Sequence, residues 1–184
     1  EAPDHSDAHA VVARCLTARK RLYAAELEAA QALSLEPDSH LAHIAMASVQ
    51  IAHRKFKQAE AHLDAARELF PESDENHRLA ASLYQTWGQP DRALIEIARA
   101  SELDPDDAGI WAHYGWIEYE RGQRGQARLH AERALEIDPE HIDALTLLGH
   151  CDLAAGRVEE ARAHAVWALQ HDPTDAGALT LLAA

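Results

Sequence analysis

Small apolar residues return along this chain with a period of 34. Alanine fills one series, Ala25, Ala59, Ala93, Ala127 and Ala161, and a second, Ala32, Ala66, Ala100, Ala134 and Ala168. A third series is always tiny: Ala13, Ala47, Ala81, Gly115 and Gly149. Proline closes every period at Pro37, Pro71, Pro105, Pro139 and Pro173. A fixed period of this length marks an array of one structural unit. Between the prolines the apolar positions follow a helical rhythm, broken once in mid-unit, so each unit predicts two antiparallel helices. In the fourth unit the first helix is expected over Ile110–Glu120 and the second over Gln126–Ile137, with the break at Gly122 and Gly125. Proline disfavours helix in the residue before it and ends each second helix. Ser39, Ser73, Asp107 and Asp175 are placed to cap the first helices that follow them. Leu35, Leu69, Leu103 and Ile137 end second helices and are expected to fill the seam to the next unit, a series that His171 interrupts.

Five full units follow: 6–39, 40–73, 74–107, 108–141 and 142–175. The segment Gly177-Ala-Leu-Thr-Leu-Leu-Ala183 echoes Asp143-Ala-Leu-Thr-Leu-Leu-Gly149, so residues 176–184 begin a sixth. The whole of 1–184 is therefore read as one repeat domain, and the natural chain is expected to continue past Ala184 and to have been processed or excised before Glu1. Repeats of this kind touch mainly their neighbours, which overrides the compact single domain that length alone suggests.

Composition adds little to the fold and more to the partners. The net charge is -14, which argues against unaided nucleic-acid binding and suits basic or apolar partners. No stretch is long or apolar enough to span a membrane. Cys15 and Cys151 occupy one slot in the first and fifth units, too far apart for a disulfide. Arginine outnumbers lysine 14 to 3 and Asn76 is the single asparagine, the usage of a GC-rich bacterial genome. Of the bacterial compartments, the cytoplasm is favoured over the periplasm.

The 34-residue helix-turn-helix resembles the tetratricopeptide repeat. The fourth unit carries the likeness through Trp111, Gly115, Tyr119, Gly122, Ala127, Ala134 and Pro139, and the fifth through Leu145, Leu148, Gly149, Gly156, Ala161, Ala168 and Pro173. The first three depart from it. His9, His43 and His77 replace the bulky first-helix aromatic, and Lys20 and Arg54 replace the turn glycine. The resemblance implies an all-α fold, a right-handed alpha-alpha superhelix or solenoid of helix-turn-helix repeats. It also implies a concave groove lined by first helices.

Carried onto this chain, that groove receives Asp7, Arg14 and Thr17, then Leu41, Ile44, Ser48 and Ile51, then Glu75, Arg78, Ser82 and Gln85. Trp116, Tyr119 and Glu120 follow, then Asp143, Thr146, His150 and Leu153. Trp116 is alone in a column that otherwise holds Arg14, Ser48, Ser82 and His150. Exposed aromatics beside apolar side chains are typical anchors. The expected site is a peptide groove with anchors at Trp116 and Tyr119 and at Leu41, Ile44 and Ile51, flanked by His150 and Leu153. Arg14 and Arg78 are placed to pair with acidic groups of the peptide. The alternative for Trp116 is local packing. Trp87 and Trp167, also alone in their columns, are expected to face solvent. The slots by which carboxylate-clamping members of the family hold a peptide end contain Ala10, Arg14, Ala45, Glu75 and Leu79 here, so that code is absent.

Thirteen histidines raise a metal site, but His40 and His43 supply only one pair on a helical face. His62, His130 and His164 sit in one slot of the second helices, about 10 Å or more apart, where zinc needs three or four convergent ligands. No metal, cofactor or catalytic constellation is expected. Charge is sorted by edge: Arg19, Lys20, Arg21, Arg54, Lys55 and Lys57 mark the turns inside the first two units, and acids mark the turns between units. Helix-end electrostatics accounts for much of this, and docking of an acidic partner or lipid on the basic edge is the other reading. The functional expectation is a non-catalytic scaffold that binds a protein or peptide partner. The alternative is a recruiting arm of a larger enzyme such as a transferase. Self-association through the uncovered C-terminal helix is a third possibility.

Overall fold

The structure, a computed structural model, describes residues 5–183; Glu1 and Ala184, where the expectations of processing and continuation fall, lie outside them. The fold is all-α. Among the described residues there are eleven helices and no strand. They belong to two compact units that divide between Leu103 and Asp104. The first unit holds α1 (Ser6–Ala18), α2 (Leu22–Leu35), α3 (His40–Ala52), α4 (Phe56–Leu69), α5 (Asp74–Trp87) and α6 (Pro90–Leu103). The second holds α7 (Ala108–Glu120), α8 (Arg124–Ile137), α9 (Ile142–Ala154), α10 (Val158–His171) and α11 (Ala176–Leu182).

Each of the five hairpins turns in the same way. A backbone N–H bonds the carbonyl five residues back: Arg21 to Leu16, Lys55 to Gln50, Gln89 to Tyr84, Gln123 to Glu118 and Arg157 to Asp152, at 2.8–2.9 Å. That is the closing bond of a Schellman motif, and it requires a left-handed residue just before the donor. Gly88, Gly122 and Gly156 take it with φ of 77–80°. Lys20 and Arg54 take it with φ of 58° and 59°. A side chain with a Cβ costs roughly 1–2 kcal/mol in this region, so two of the five turns are strained where three are relaxed. Gly125, expected at the break, lies instead inside α8.

The caps behave as the sequence suggests. Ser39, Ser73, Asp107 and Asp175 each accept a backbone N–H from the first turn of their helix. The cap of α9 is His141, whose Nδ1 accepts from Ala144 N at 3.4 Å.

All fifteen small-residue slots are buried. At Gly115 the reason is direct: a Cβ there would lie 2.5 Å from Leu147 Cδ2 and 3.0 Å from the Ala127 carbonyl oxygen. At Gly149 it would lie 2.5 Å from Leu181 Cδ1. Around this close approach the larger apolar side chains fill the remaining space, among them Val49, Leu83 and Ile97 in the first unit and Leu145 and Leu147 in the second. Each contributes about 1.5–3 kcal/mol by burial. Leu35 and Leu69 depart from expectation, being 41% and 37% exposed. They are the last residues of α2 and α4. Ile137 does pack inward, against Ala108, Ala112, Ala134 and Ala144.

Polar contacts reinforce the seams. Glu26 of the first hairpin accepts from Lys55 Nζ of the second at 2.8 Å. Glu60 of the second accepts from Tyr84 Oη at 2.9 Å and from Arg92 at 2.8 Å in the third. Burial raises the Tyr84 hydroxyl pKa to about 12, and the bond to Glu60 adds to it. Between the fourth and fifth hairpins the signs exchange. Arg128 on α8 donates to Asp152 on α9, which also accepts from Arg157 at 2.9 Å. Asp152 is 1% exposed. Burial opposes its ionisation, but the Arg157 and Arg128 hydrogen bonds win and hold its pKa below the usual carboxylate range.

Two glycine substitutions on neighbouring helices should therefore act in opposite directions. Gly125→Ala, with nothing within 4 Å of its added methyl, is expected to stabilise by about 0.5 kcal/mol through helix propensity. Gly115→Ala is expected to destabilise by about 1 kcal/mol or more despite the same propensity gain, because Leu147 and the α8 backbone must shift. Urea midpoints of the two variants against the unaltered chain check the pair.

Candidate functional site

In the second unit, Trp116 and Tyr119 stand on α7, three residues apart and so on one face. His150 of α9 meets them. The Trp116 and Tyr119 ring centroids are 5.7 Å apart at 78°, Trp116 and His150 5.4 Å at 66°, and Tyr119 and His150 5.9 Å at 54°. The two Trp116 pairs are edge-to-face contacts of the kind the ring quadrupoles favour, and the Tyr119–His150 pair is tilted. The rings touch each other and leave no cage between them; they form a continuous aromatic patch. Beneath it lie Ala127, Ala131, Leu147, Leu148 and Cys151. All three side chains are half-buried, so each is braced from below and open on the other side. The Arg124 guanidinium lies 5.8 Å from the Tyr119 centroid. Leu153, half-buried one turn further along α9, packs on the cluster of Leu145, Ala165, Ala168, Ala178 and Leu181. Glu120 and Asp143 are exposed on the same two helices. Burial lowers the His150 pKa and Asp175 opposes this more weakly, which leaves the imidazole neutral at pH 7.

The first unit answers differently to its expected anchors. Ile44 is 1% exposed and Ile51 9%. Both are core residues of α3 and not groove anchors, because α3 is flanked by α1 and α5 and eight of its thirteen residues are buried. Leu41 is half-buried and packs on the cluster of the first two hairpins. Arg14 is already satisfied: its guanidinium lies 2.7 Å from Glu75 of α5, two first helices away. Arg78 is half-buried and has a partner within the chain.

The histidines resolve into structural roles. In the first three hairpins the first-helix histidine meets the second helix across the pair: His9 to Glu28 at 2.6 Å, His43 to His62 at 3.0 Å, His77 to Glu96 at 2.7 Å. In the fourth, Trp111 holds this slot and stacks on His130 at 5.6 Å. His43 Nε2 meets the Pro37 carbonyl at 3.0 Å, and Trp111 Nε1 donates to the equivalent Pro105 carbonyl at 2.8 Å. The histidine thus replaces the aromatic and keeps its hydrogen bond. His40 and His43, one pair in sequence, diverge, since His40 bonds Asn76 Oδ1 at 2.8 Å. Asn76 is fully buried and donates to the carbonyls of Phe70 and Ala66 at 2.7 and 3.4 Å. Sequence reasoning assigns it no such role; its uniqueness as an asparagine is the only signal. Among the described residues no group of three or more His, Cys, Asp or Glu is placed to hold a metal, and no helix is long and apolar enough to cross a membrane. Trp87, expected in solvent, is half-buried against Phe56 with centroids 5.5 Å apart. Trp167 is 46% exposed and donates to His171 Nε2 at 3.0 Å.

A family model for the tetratricopeptide repeat matches residues 50–117, and one for the Cilia and flagella-associated protein 70 middle TPR-like domain matches residues 98–184. A search of curated proteins finds no match. Similar solved structures include a thermophilic TPR protein of Thermus thermophilus, 21% identical over 97% of this chain and 95% of that one, with a TM-score of 0.82. YrrB, described as a TPR protein with an unusual peptide-binding site, is 22% identical over 96% of this chain and 91% of its own, with a TM-score of 0.65. PilF of Pseudomonas aeruginosa is 18% identical over 96% of this chain and 80% of its own, with a TM-score of 0.80. At these identities the likeness is one of fold.

The half-buried histidines make stability depend on pH. Burial lowers the pKa of His62, His130, His150 and His164. Above about pH 6.5 both the folded and the unfolded chain hold them neutral. Below it the unfolded chain takes up protons that the folded chain resists, so their stabilising contribution falls as pH drops towards the folded values. The melting temperature is expected to fall between about pH 7.5 and about pH 5.5. The drop should be smaller in His130→Phe, whose ring keeps the stack on Tyr114 without the titration. Thermal melts followed by circular dichroism check both.

Proposed function

The chain belongs to the tetratricopeptide-repeat family, and from that premise we propose that it is a non-catalytic scaffold that holds a peptide segment of a partner protein on its first-helix face. The observation that carries the proposal is the Trp116, Tyr119 and His150 patch. Aromatic side chains braced on one side and open on the other supply contact area at little further loss of conformational freedom. Leu153 extends the apolar surface along α9. Glu120 and Asp143 flank it. A segment with an apolar or aromatic anchor and basic neighbours therefore complements the patch best. YrrB, of the same fold, carries a peptide-binding site by its description, which supports this class of activity.

Peptides selected on the immobilised chain from a random library supply the probe. Trp116→Ala is expected to weaken the selected peptide by about 2 kcal/mol or more, roughly thirtyfold, with helicity unchanged. Trp167→Ala, on α10, should leave affinity alone. Undiminished binding by the Trp116 variant would remove this patch from the site.

A further inference from the structure

All three lysines of the chain, Lys20, Lys55 and Lys57, lie at the turns of the first two hairpins, with Arg19, Arg21 and Arg54 beside them. These six are exposed or nearly so, in a chain whose net charge is -14. Lys55 pairs with Glu26 at 2.8 Å; the other five make no ion pair among the described residues. The cations are not alone. Arg54, Lys55, Lys57 and Gln58 line a shallow cleft with Phe56 and Trp87. The two rings stack at 5.5 Å and 21°, and the Arg54 guanidinium lies 5.5 Å from the Phe56 centroid. One hairpin earlier, Lys20, Arg21, Leu22, Tyr23 and Ala24 line a second cleft, where Tyr23 is 77% exposed. Each turn thus offers cations beside an apolar floor.

Helix-end electrostatics favours cations near these turns but does not account for their positions. Lys20 and Arg54 occupy the left-handed slot of the turn, with φ of 58° and 59°, where the other three hairpins have glycine. Glycine is the unstrained residue there. The turn's own backbone bonds, Lys20 N to the Thr17 carbonyl and Arg21 N to the Leu16 carbonyl, both at 2.9 Å, form equally well with glycine in the slot and so do not account for the lysine. Strain kept twice at equivalent positions, each time for an exposed positive charge, is what a binding role would select.

We propose that this edge of the first unit docks an acidic peptide segment carrying an apolar or aromatic residue. Equivalent points on adjacent hairpins lie about 10 Å apart, which an extended segment covers in about three residues. Two groups of carboxylates at that spacing reach both turns, and the apolar residue rests on the Phe56 and Trp87 floor. The patch ends at the third turn, where Gly88 and Gln89 stand and Asp91 follows. A positive surface two turns wide suits a short segment. A flat anionic membrane or a nucleic-acid backbone would extend past it onto Asp91 and the other carboxylates of an acidic chain. Phe56 is also laid against Trp87 and does not protrude as a membrane wedge.

The test titrates the full chain into a fluorescein-labelled peptide of Glu, Asp and Phe, and into its counterpart with Gln and Asn. The acidic peptide is expected to bind and to weaken about tenfold or more as salt rises from about 50 to about 500 mM; the neutral one is not. The variant Lys20→Gly with Arg54→Gly relieves two left-handed side chains, so its melting temperature should equal or exceed that of the unaltered chain. Its affinity for the acidic peptide should fall at least about fivefold. A loss of binding without a loss of stability cannot come from misfolding. Trp116→Ala should leave this binding unchanged, which separates the edge from the first-helix patch. Equal affinity in the glycine variant, or equal affinity for the neutral peptide, would overturn the proposal. So would binding of phosphatidylserine vesicles or a single-stranded oligonucleotide in place of the peptide.

Discussion

Every hairpin of this chain depends on two helices approaching so closely that no side chain larger than a methyl fits between them. At Gly115 and Gly149 a methyl would lie 3.0 and 3.4 Å from the Ala127 and Ala161 carbonyl oxygens of the paired helix, and 2.5 Å from a leucine of the next first helix. In the first unit the same slot holds Ala13, Ala47 and Ala81, all fully buried. The constraint is steric and local, so it recurs in register with the helix pair. It leaves the larger apolar residues to fill what remains, and it leaves the outer positions free. Charge, rings and hydrogen-bonding groups on the surface can then vary from one hairpin to the next without disturbing the contact that builds each of them.

That division explains what could be read from the sequence. The small slots, the caps and the closing prolines have one cause each, acting over a few residues, and the helices fall where those signals put them. Gly125 misled because a glycine near a turn reads as part of it, whereas the motif needs only one left-handed residue and Gly122 supplies it. Contacts between hairpins were not readable. Asn76 binds three groups on the preceding hairpin, and Asp152 gathers arginines from α8 and from its own hairpin. Neither pairing repeats along the chain. The seam slots that hold Glu26 and Glu60 hold Arg128 two hairpins later, with the sign reversed. A column of residues shows such a contact only when the same solution recurs.

The candidate site follows the same rule. Trp116, Tyr119 and His150 were legible because they lie on one helical face and its neighbour, and the structure brings their rings into contact. Ile44 and Ile51 were assigned to a groove by their position in the repeat. Whether such a position is open depends on how deeply its helix is flanked, and α3 is flanked on both sides. Arg14 was free in the sequence and is paired in the fold, with Glu75, a residue from two repeats further on that was itself assigned to the groove. A column gives the direction of a side chain and says nothing of what already meets it.

A departure from a column is therefore informative in proportion to what the fold leaves unbalanced. His43 departs from the aromatic and is offset within the hairpin, by the Pro37 carbonyl and by His62. Asn76 is offset by three hydrogen bonds. Those departures end inside the structure and need no partner to account for them. Trp116 is offset only in part, since its lower face is packed and its upper face is open. Lys20 is offset only by backbone bonds that a glycine would make as well: it carries a strained backbone, an exposed charge and no ion pair among the described residues. Ordered by that imbalance, the turn edge of the first unit and the aromatic patch of the second stand ahead of the other departures from the repeat, which is why the two proposals rest on them. They are chemically opposite, one cationic and one aromatic with acidic flanks. A single repeat frame can carry both because neither touches the alanine and glycine contacts that hold the helices together.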